Sequence, residues 1–268
     1  MEEVPRLSPT TAKKILNRSP LHAYHGHRLL GGGDDDKPSK AKDTGKILEA
    51  LIYNASTDDF VVLDFPNFKK KEAQDSRDAV YEAGKVPVLE EDWGRFQVSA
   101  NLIKQNLIDQ GVVFNGGEYQ KKIEWTCDLT GANCKGYLDY YKDGIIWDLK
   151  TCQDAGHAAV WRSITNFGYD VQYAAYTDGI ESLDPSLLGR SRFIFAFCEV
   201  DAPYAVQLYE LSERKKDIGR NKWHEAKRQW VNCLESGIWP SYFSGIGIID
   251  AKPWETDFME QIEIKEEE

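Results

Sequence analysis

The pattern of apolar and polar positions changes character several times along the chain. Near the N-terminus, Ser8-Pro9 and Ser19-Pro20 each pair a capping serine with a proline suited to a first helical turn. Ala12, Ile15 and Leu16 give the first helix a short apolar face, and a second helix is expected from residue 20 to about 30. Ile47, Leu48, Leu51 and Ile52 recur at helical spacing. A strand is predicted over 60–65 and a charged helix over 69–83, closed by Gly84. A short strand over 86–89 leads into a long helix over 90–110, with Phe96, Leu102, Ile103 and Leu107 inward and Gly111 as its stop. Residues 118–127, a turn in DLTGAN and the aromatic run 137–141 then read as strands. Lys142-Asp143-Gly144 supplies a turn, and 145–149 a further strand. Helices follow over 154–164 and 168–180, then strands over 191–200 and 204–211 joined by Asp201-Ala202-Pro203. A charged helix over 213–235 is closed by Gly237. Trp239-Pro240 and Pro253-Trp254 read as loops that lay rings on the core, and the closing QIEIKEEE is expected to fray.

Alternation within the hairpin sorts its residues. Ile145, Trp147 and Leu149 share one face, and Ile146, Asp148 and Lys150 the other. Asp139 lies in the preceding strand, from which it could approach Asp148. Two carboxylates and a lysine on one patch can bind a divalent cation and activate a water. An acid two residues before a lysine occurs six times: at Asp35/Lys37, Asp148/Lys150, Glu213/Lys215, Glu225/Lys227, Asp250/Lys252 and Glu263/Lys265. Five of these lie in polar or helix-like surroundings and read as solvated surface. Only the Asp148 pair ends a strand that reads as buried and follows a strand bearing an acid. The plainer alternative is a surface ion pair at a hairpin edge.

Composition narrows the picture. The 268 residues suit one large domain or two small ones. No apolar run approaches the roughly 20 residues of a membrane span, and MEEVPRLSPT is no signal peptide. Five cysteines without close spacing suggest reduced thiols in a cytosol. A net charge of −11 counts against a chain that coats itself in nucleic acid, though a nuclease with a basic cleft remains open. His22, His25 and His27 have no neighbouring carboxylate and read as surface residues. Residues 31–40, GGGDDDKPSK, read as a flexible loop.

Several stretches then align with one family: LSPTTAKKILNRSPLHAYH, GKILE, the Asp139 strand, DLKT, YDVQYAAY about twenty residues later, and a late Trp-Pro. The chain resembles the RecE-type exonucleases of prophages (exodeoxyribonuclease VIII), a branch of the PD-(D/E)xK superfamily akin to lambda exonuclease and the RecB nuclease domain. The resemblance implies an α/β fold, a central mixed sheet flanked by helices. It implies a single nuclease domain over 1–268, with an N-terminal helical part over 1–58, a core over 59–254 and a frayed tail over 255–268. By the same resemblance, Asp139, Asp148 and the Leu149 carbonyl bind Mg²⁺, for which Mn²⁺ can substitute. Lys150 orients or activates the attacking water. Gln172 and Tyr176, four apart on one helical face, contact substrate or support the site, with helix packing as the alternative for both. Glu49 occupies a Gly-x3-Glu pattern where many relatives carry Gly-x3-His, so it stands as a candidate ligand. The implied activity is digestion of linear double-stranded DNA from 5′ ends during recombination in the cytoplasm. The implied partners are a single-strand annealing protein and further copies of the chain in a ring, with no membrane. Cys127, Cys134, Cys152, Cys198 and Cys233 do not supply the spacing of the iron–sulfur nucleases, so no cluster is expected. Two other readings stay open: a RecB-like single-strand nuclease without a cluster, and a nuclease fold kept only for DNA binding or assembly.

Overall fold

The computed structural model describes residues 3–33, 38–243 and 245–251. The chain runs α1 (Pro9–Asn17), α2 (Pro20–Gly26), α3 (Lys40–Tyr53), β1 (Phe60–Leu63), α4 (Lys71–Glu82), β2 (Val86–Leu89) and α5 (Glu90–Asp109). It continues through β3 (Glu118–Thr126), β4 (Asn133–Lys142), β5 (Ile145–Cys152), α6 (His157–Asn166), α7 (Tyr169–Leu183), β6 (Arg192–Glu199), β7 (Val206–Tyr209) and α8 (Glu213–Ser236). The five-stranded sheet has the order β3-β4-β5-β6-β7. Its β5–β6 pair is parallel and its other pairs are antiparallel. The expected mixed sheet flanked by helices is therefore present. β1 and β2 form a separate parallel pair.

Local chemistry accounts for the boundaries. The Oγ atoms of Ser8 and Ser19 accept the amides of Thr11 and His22, and proline follows each cap. The β4–β5 turn has Asp143 at φ 48 and Gly144 at φ 81, the doubly positive geometry that suits a two-residue hairpin. α2 stops at Gly26, short of the expected residue 30. The amides of Gly31 and Gly33 fold back onto the carbonyls of Tyr24 and His25, and neither glycine has room for a Cβ. His27 is buried against Trp230, with Nε2 3.3 Å from the Arg6 carbonyl, so it is not the surface residue expected. Leu102 is exposed, and α5 turns Phe96, Ala100, Ile103 and Leu107 inward instead. Trp239 packs on Tyr24 and Trp230 as expected. The tail, Pro253-Trp254 and residues 34–37 of the expected flexible loop lie outside the described residues.

Two apolar cores form, one on each face of the sheet. Leu138, Ile146, Phe193, Phe195 and Trp230 belong to the first, beneath α1, α7 and α8. Ile47, Leu48, Ile103, Leu149 and Ala196 belong to the second, which α3 and α5 help to build. Among the described residues all five cysteines are free, and no helix is long and apolar enough to cross a membrane.

Candidate active site

The β4–β5 ladder pairs Lys142 with Ile145, Tyr141 with Ile146 and Tyr140 with Trp147, then stops. The next pair would set Asp139 opposite Asp148. Instead, Asp139 Oδ2 accepts the Leu149 amide at 2.9 Å. A strand residue points its N–H and C=O the same way, so the Leu149 carbonyl opens into the same gap. β5 stays paired with β6 from Ile145 through Cys152, so the gap opens on one side only.

Beside this gap, β4 and its other neighbour β3 both change sides. Leu138 lies in the first core, yet Tyr140, of the same parity, stacks on Tyr53 of α3 at 5.2 Å across the sheet. Likewise Ile123 and Trp125 lie in the first core, while Tyr119 packs on Tyr53. The flip in β4 falls at Asp139. In β3 it falls at Gln120, which has φ 48 and sits between the pairs Tyr119–Tyr140 and Lys121–Leu138. Positive φ is uncommon for a residue with a side chain and marks local strain. Gln120 Nε2 donates to Glu49 Oε1, which ties the strained residue to α3.

Asp148 is fully buried. Gln172 Nε2, from α7, donates to its Oδ1 at 2.5 Å. Lys150 Nζ lies 2.5 Å from Oδ2, a close ion pair. The same ammonium sits 4.9 Å from the centre of the Tyr169 ring. Tyr176, one turn beyond Gln172, stacks on Phe193 and lies against Gly136, where a Cβ would meet its ring at 2.7 Å. Packing is thus its visible contact.

The electrostatics follow from burial. Desolvation, with Asp148 and Glu49 nearby, pushes the Asp139 carboxyl well above the usual carboxylate range. Burial raises Glu49 to about 7, and repulsion from Asp148 adds to it. Burial also raises Asp148, against the pull of Lys150, Lys13 and Gln172. For Lys150, burial acts downward, but Asp148 and Asp139 outweigh it and keep the ammonium protonated.

These groups fit an oxygen-ligated divalent cation. Three carboxylates repel one another, and the Leu149 carbonyl faces the gap that Asp139 borders. Among the described residues, however, no three acidic, histidine or cysteine side chains stand close enough to hold an ion as they are. Lys150 engages Asp148 and Gln120 engages Glu49. Sequence reasoning missed Gln120, Tyr53, Tyr169 and Lys13, all brought here by tertiary packing. Gln120 carries no local signal beyond strand periodicity.

The family described as "PDDEXK-like domain of unknown function (DUF3799)" matches residues 15–251. No curated protein matches the chain. Among solved structures, a "Putative exonuclease" from Eubacterium rectale superposes with a TM-score of 0.58 at 14% identity, covering 92% of this chain and 90% of its own. The structure of SSO0001 reaches a TM-score of 0.29 at 13% identity, covering 78% of this chain and 98% of its own, and carries no argument. The family match spans most of the chain, and the site lies where two sheet strands part: the chain belongs to the PDDEXK-like family DUF3799, within the PD-(D/E)xK nuclease superfamily.

Proposed function

We propose that the protein is a Mg²⁺-dependent exodeoxyribonuclease of RecE type that digests linear double-stranded DNA from 5′ ends. The whole chain acts as one nuclease domain. The observation that carries this reading is the set of Asp139, Asp148 and Lys150 at the break in the β4–β5 ladder. Glu49, Asp139, Asp148 and the Leu149 carbonyl would hold the cation. Once bound, it would supply positive charge to acidify a water and stabilise the phosphate. Gln172 fixes Asp148 through Oδ1, leaving Oδ2 for the cation or for Lys150. When Lys150 leaves Asp148, its ammonium can orient the attacking water and offset charge on the phosphate. Tyr169 beneath it limits where that ammonium can move.

The experiment is incubation of end-labelled linear duplex and covalently closed circles with Mg²⁺, Mn²⁺ or EDTA. Loss of the 5′ label from linear DNA, sparing of circles and dependence on the cation are expected. Cutting of relaxed circles at an equal rate would make the protein an endonuclease. Binding without cleavage under every condition would leave a nuclease fold that serves as a DNA-binding or assembly module. That second reading draws on the resting partners of the acids, with Lys150 on Asp148 and Gln120 on Glu49. A ring of copies and a single-strand annealing partner belong to the same proposal and are tested by light scattering and co-purification.

A further inference from the structure

Next to the acid–lysine centre, the passage from α6 into α7 carries Phe167 and Arg162, which the proposed reaction does not use, beside Tyr169. Phe167 is 59% exposed, and its ring lies 5.7 Å from that of Tyr169. A cavity of about 420 Å³ opens here, lined by Thr151, Arg162, Asn166, Phe167 and Tyr169 among others. It adjoins the end of the strand that carries Lys150.

One cation lines this cavity, and a second reaches the ring of its tyrosine. Arg162 is exposed on α6 and pairs with no carboxylate among the described residues. Lys13 reaches the Tyr169 ring from α1, with Nζ 5.6 Å from its centre. Its stem runs past Gly168, where a Cβ would meet Lys13 Cδ at 2.9 Å, so the glycine leaves room for the lysine. The neighbouring acids are already engaged. Asp148 is held by Lys150, Asp170 by Lys222 and Lys215, and Asp154 Oδ1 accepts the Gly156 amide. Lys13 has no ion pair of its own among the described residues.

Resting on the nuclease reading above, we infer that this cavity takes an unstacked nucleotide of single-stranded DNA beside the reacting phosphate. The base lies against Phe167 and Tyr169, and the flanking phosphates meet Lys13 and Arg162. Aromatic faces combined with cations are how proteins hold single strands without reading sequence. A base inside a duplex is stacked on both faces and offers none to a side chain, so the exposed ring favours an unpaired one. The site also gives an acidic chain a local basic contact with its substrate.

Fluorescence anisotropy with a short labelled thymidine oligonucleotide in EDTA separates binding from cleavage. Phe167→Ala should weaken binding about tenfold and leave binding of a closed-ended hairpin duplex nearly unchanged. Lys13→Met and Arg162→Met should each reduce the slope of log affinity against log salt by about 0.7. Trp161→Ala, exposed on the flank of α6 beside His157 and Ile164, should change neither. The subsite is overturned if Phe167→Ala binds the oligonucleotide as the parent does, or if Trp161→Ala weakens binding equally. It is also overturned if Phe167→Ala alters the oligomeric state while DNA affinity stays fixed. Failure of the nuclease reading looks different: weakened binding in Phe167→Ala together with no Mg²⁺-dependent cleavage keeps the subsite and removes the enzyme.

Discussion

Gln172 donates its side-chain N–H to Asp148 Oδ1 at 2.5 Å, from a helix on one face of the sheet to a fully buried strand residue. The carboxylate cannot rotate without breaking that bond. Partners of this kind orient a ligand, and their loss typically costs about 10–100-fold in metal affinity or activity. Gln172→Met should therefore fold, cleave DNA at a rate reduced by about that factor, and need more Mg²⁺ for half-maximal activity. Cleavage at the parent rate with an unchanged Mg²⁺ titration would show that Asp148 needs no such anchor.

Asp148→Ala should abolish cleavage, because it removes the carboxylate shared by Gln172 and Lys150. Lys150→Ala should behave differently. A lysine near the reacting phosphate acts mainly on the transition state, so kcat should fall far more than DNA affinity. A Lys150→Ala protein that binds DNA poorly yet turns over normally would assign the lysine to binding alone.

Acidity links the site to stability. Glu49, Asp139 and Asp148 are all raised in the folded protein, with burial the leading cause. A raised carboxyl binds more protons folded than unfolded. Its stabilising contribution is present at low pH and lost as pH rises through the folded value. For Glu49 that loss runs from the ordinary 4.5 to about 7. Metal-free protein should thus melt at a lower temperature near pH 8 than near pH 6, and Mg²⁺ should recover part of the difference. Glu49→Gln should flatten the pH dependence in EDTA and weaken the Mg²⁺ response. If Glu49→Gln titrates Mg²⁺ and cleaves as the parent does, Glu49 is no ligand.

Tyr176 offers a test of packing against chemistry. Gly136→Ala pushes a methyl into its ring and should cost about 1–3 kcal/mol in urea unfolding. Tyr176→Phe keeps the ring on Phe193 and should cleave near the parent rate. A large loss of kcat in Tyr176→Phe would instead place the hydroxyl in the reaction.

Much of this architecture is legible from local pattern. Alternation in the hairpin places Asp148 and Lys150 on one face, and helical spacing joins Gln172 to Tyr176. Serine–proline pairs start the first two helices. What stays hidden depends on distant segments meeting. Gln120 looks like any strand residue until the sheet twists it to positive φ and α3 brings Glu49 to it. Lys13 and Tyr169 lie far apart in sequence and meet only when α1 packs against α7. His27 shows the same limit in reverse: nothing in its surroundings in sequence foretells Trp230.

The matched change of sides at Gln120 and Asp139 makes strand alignment and acid placement a single condition. Slipping β3 by one residue against β4 would set the two flips out of step. Tyr119, Ile123 and Trp125 would then face the wrong sides of the sheet while Lys121 lost its place over the Tyr141 ring. A misaligned β3 would therefore lose apolar burial and the Gln120–Glu49 hydrogen bond together. The native alignment of β3 is thereby what presents Gln120 to Glu49 beside the acids of β4 and β5.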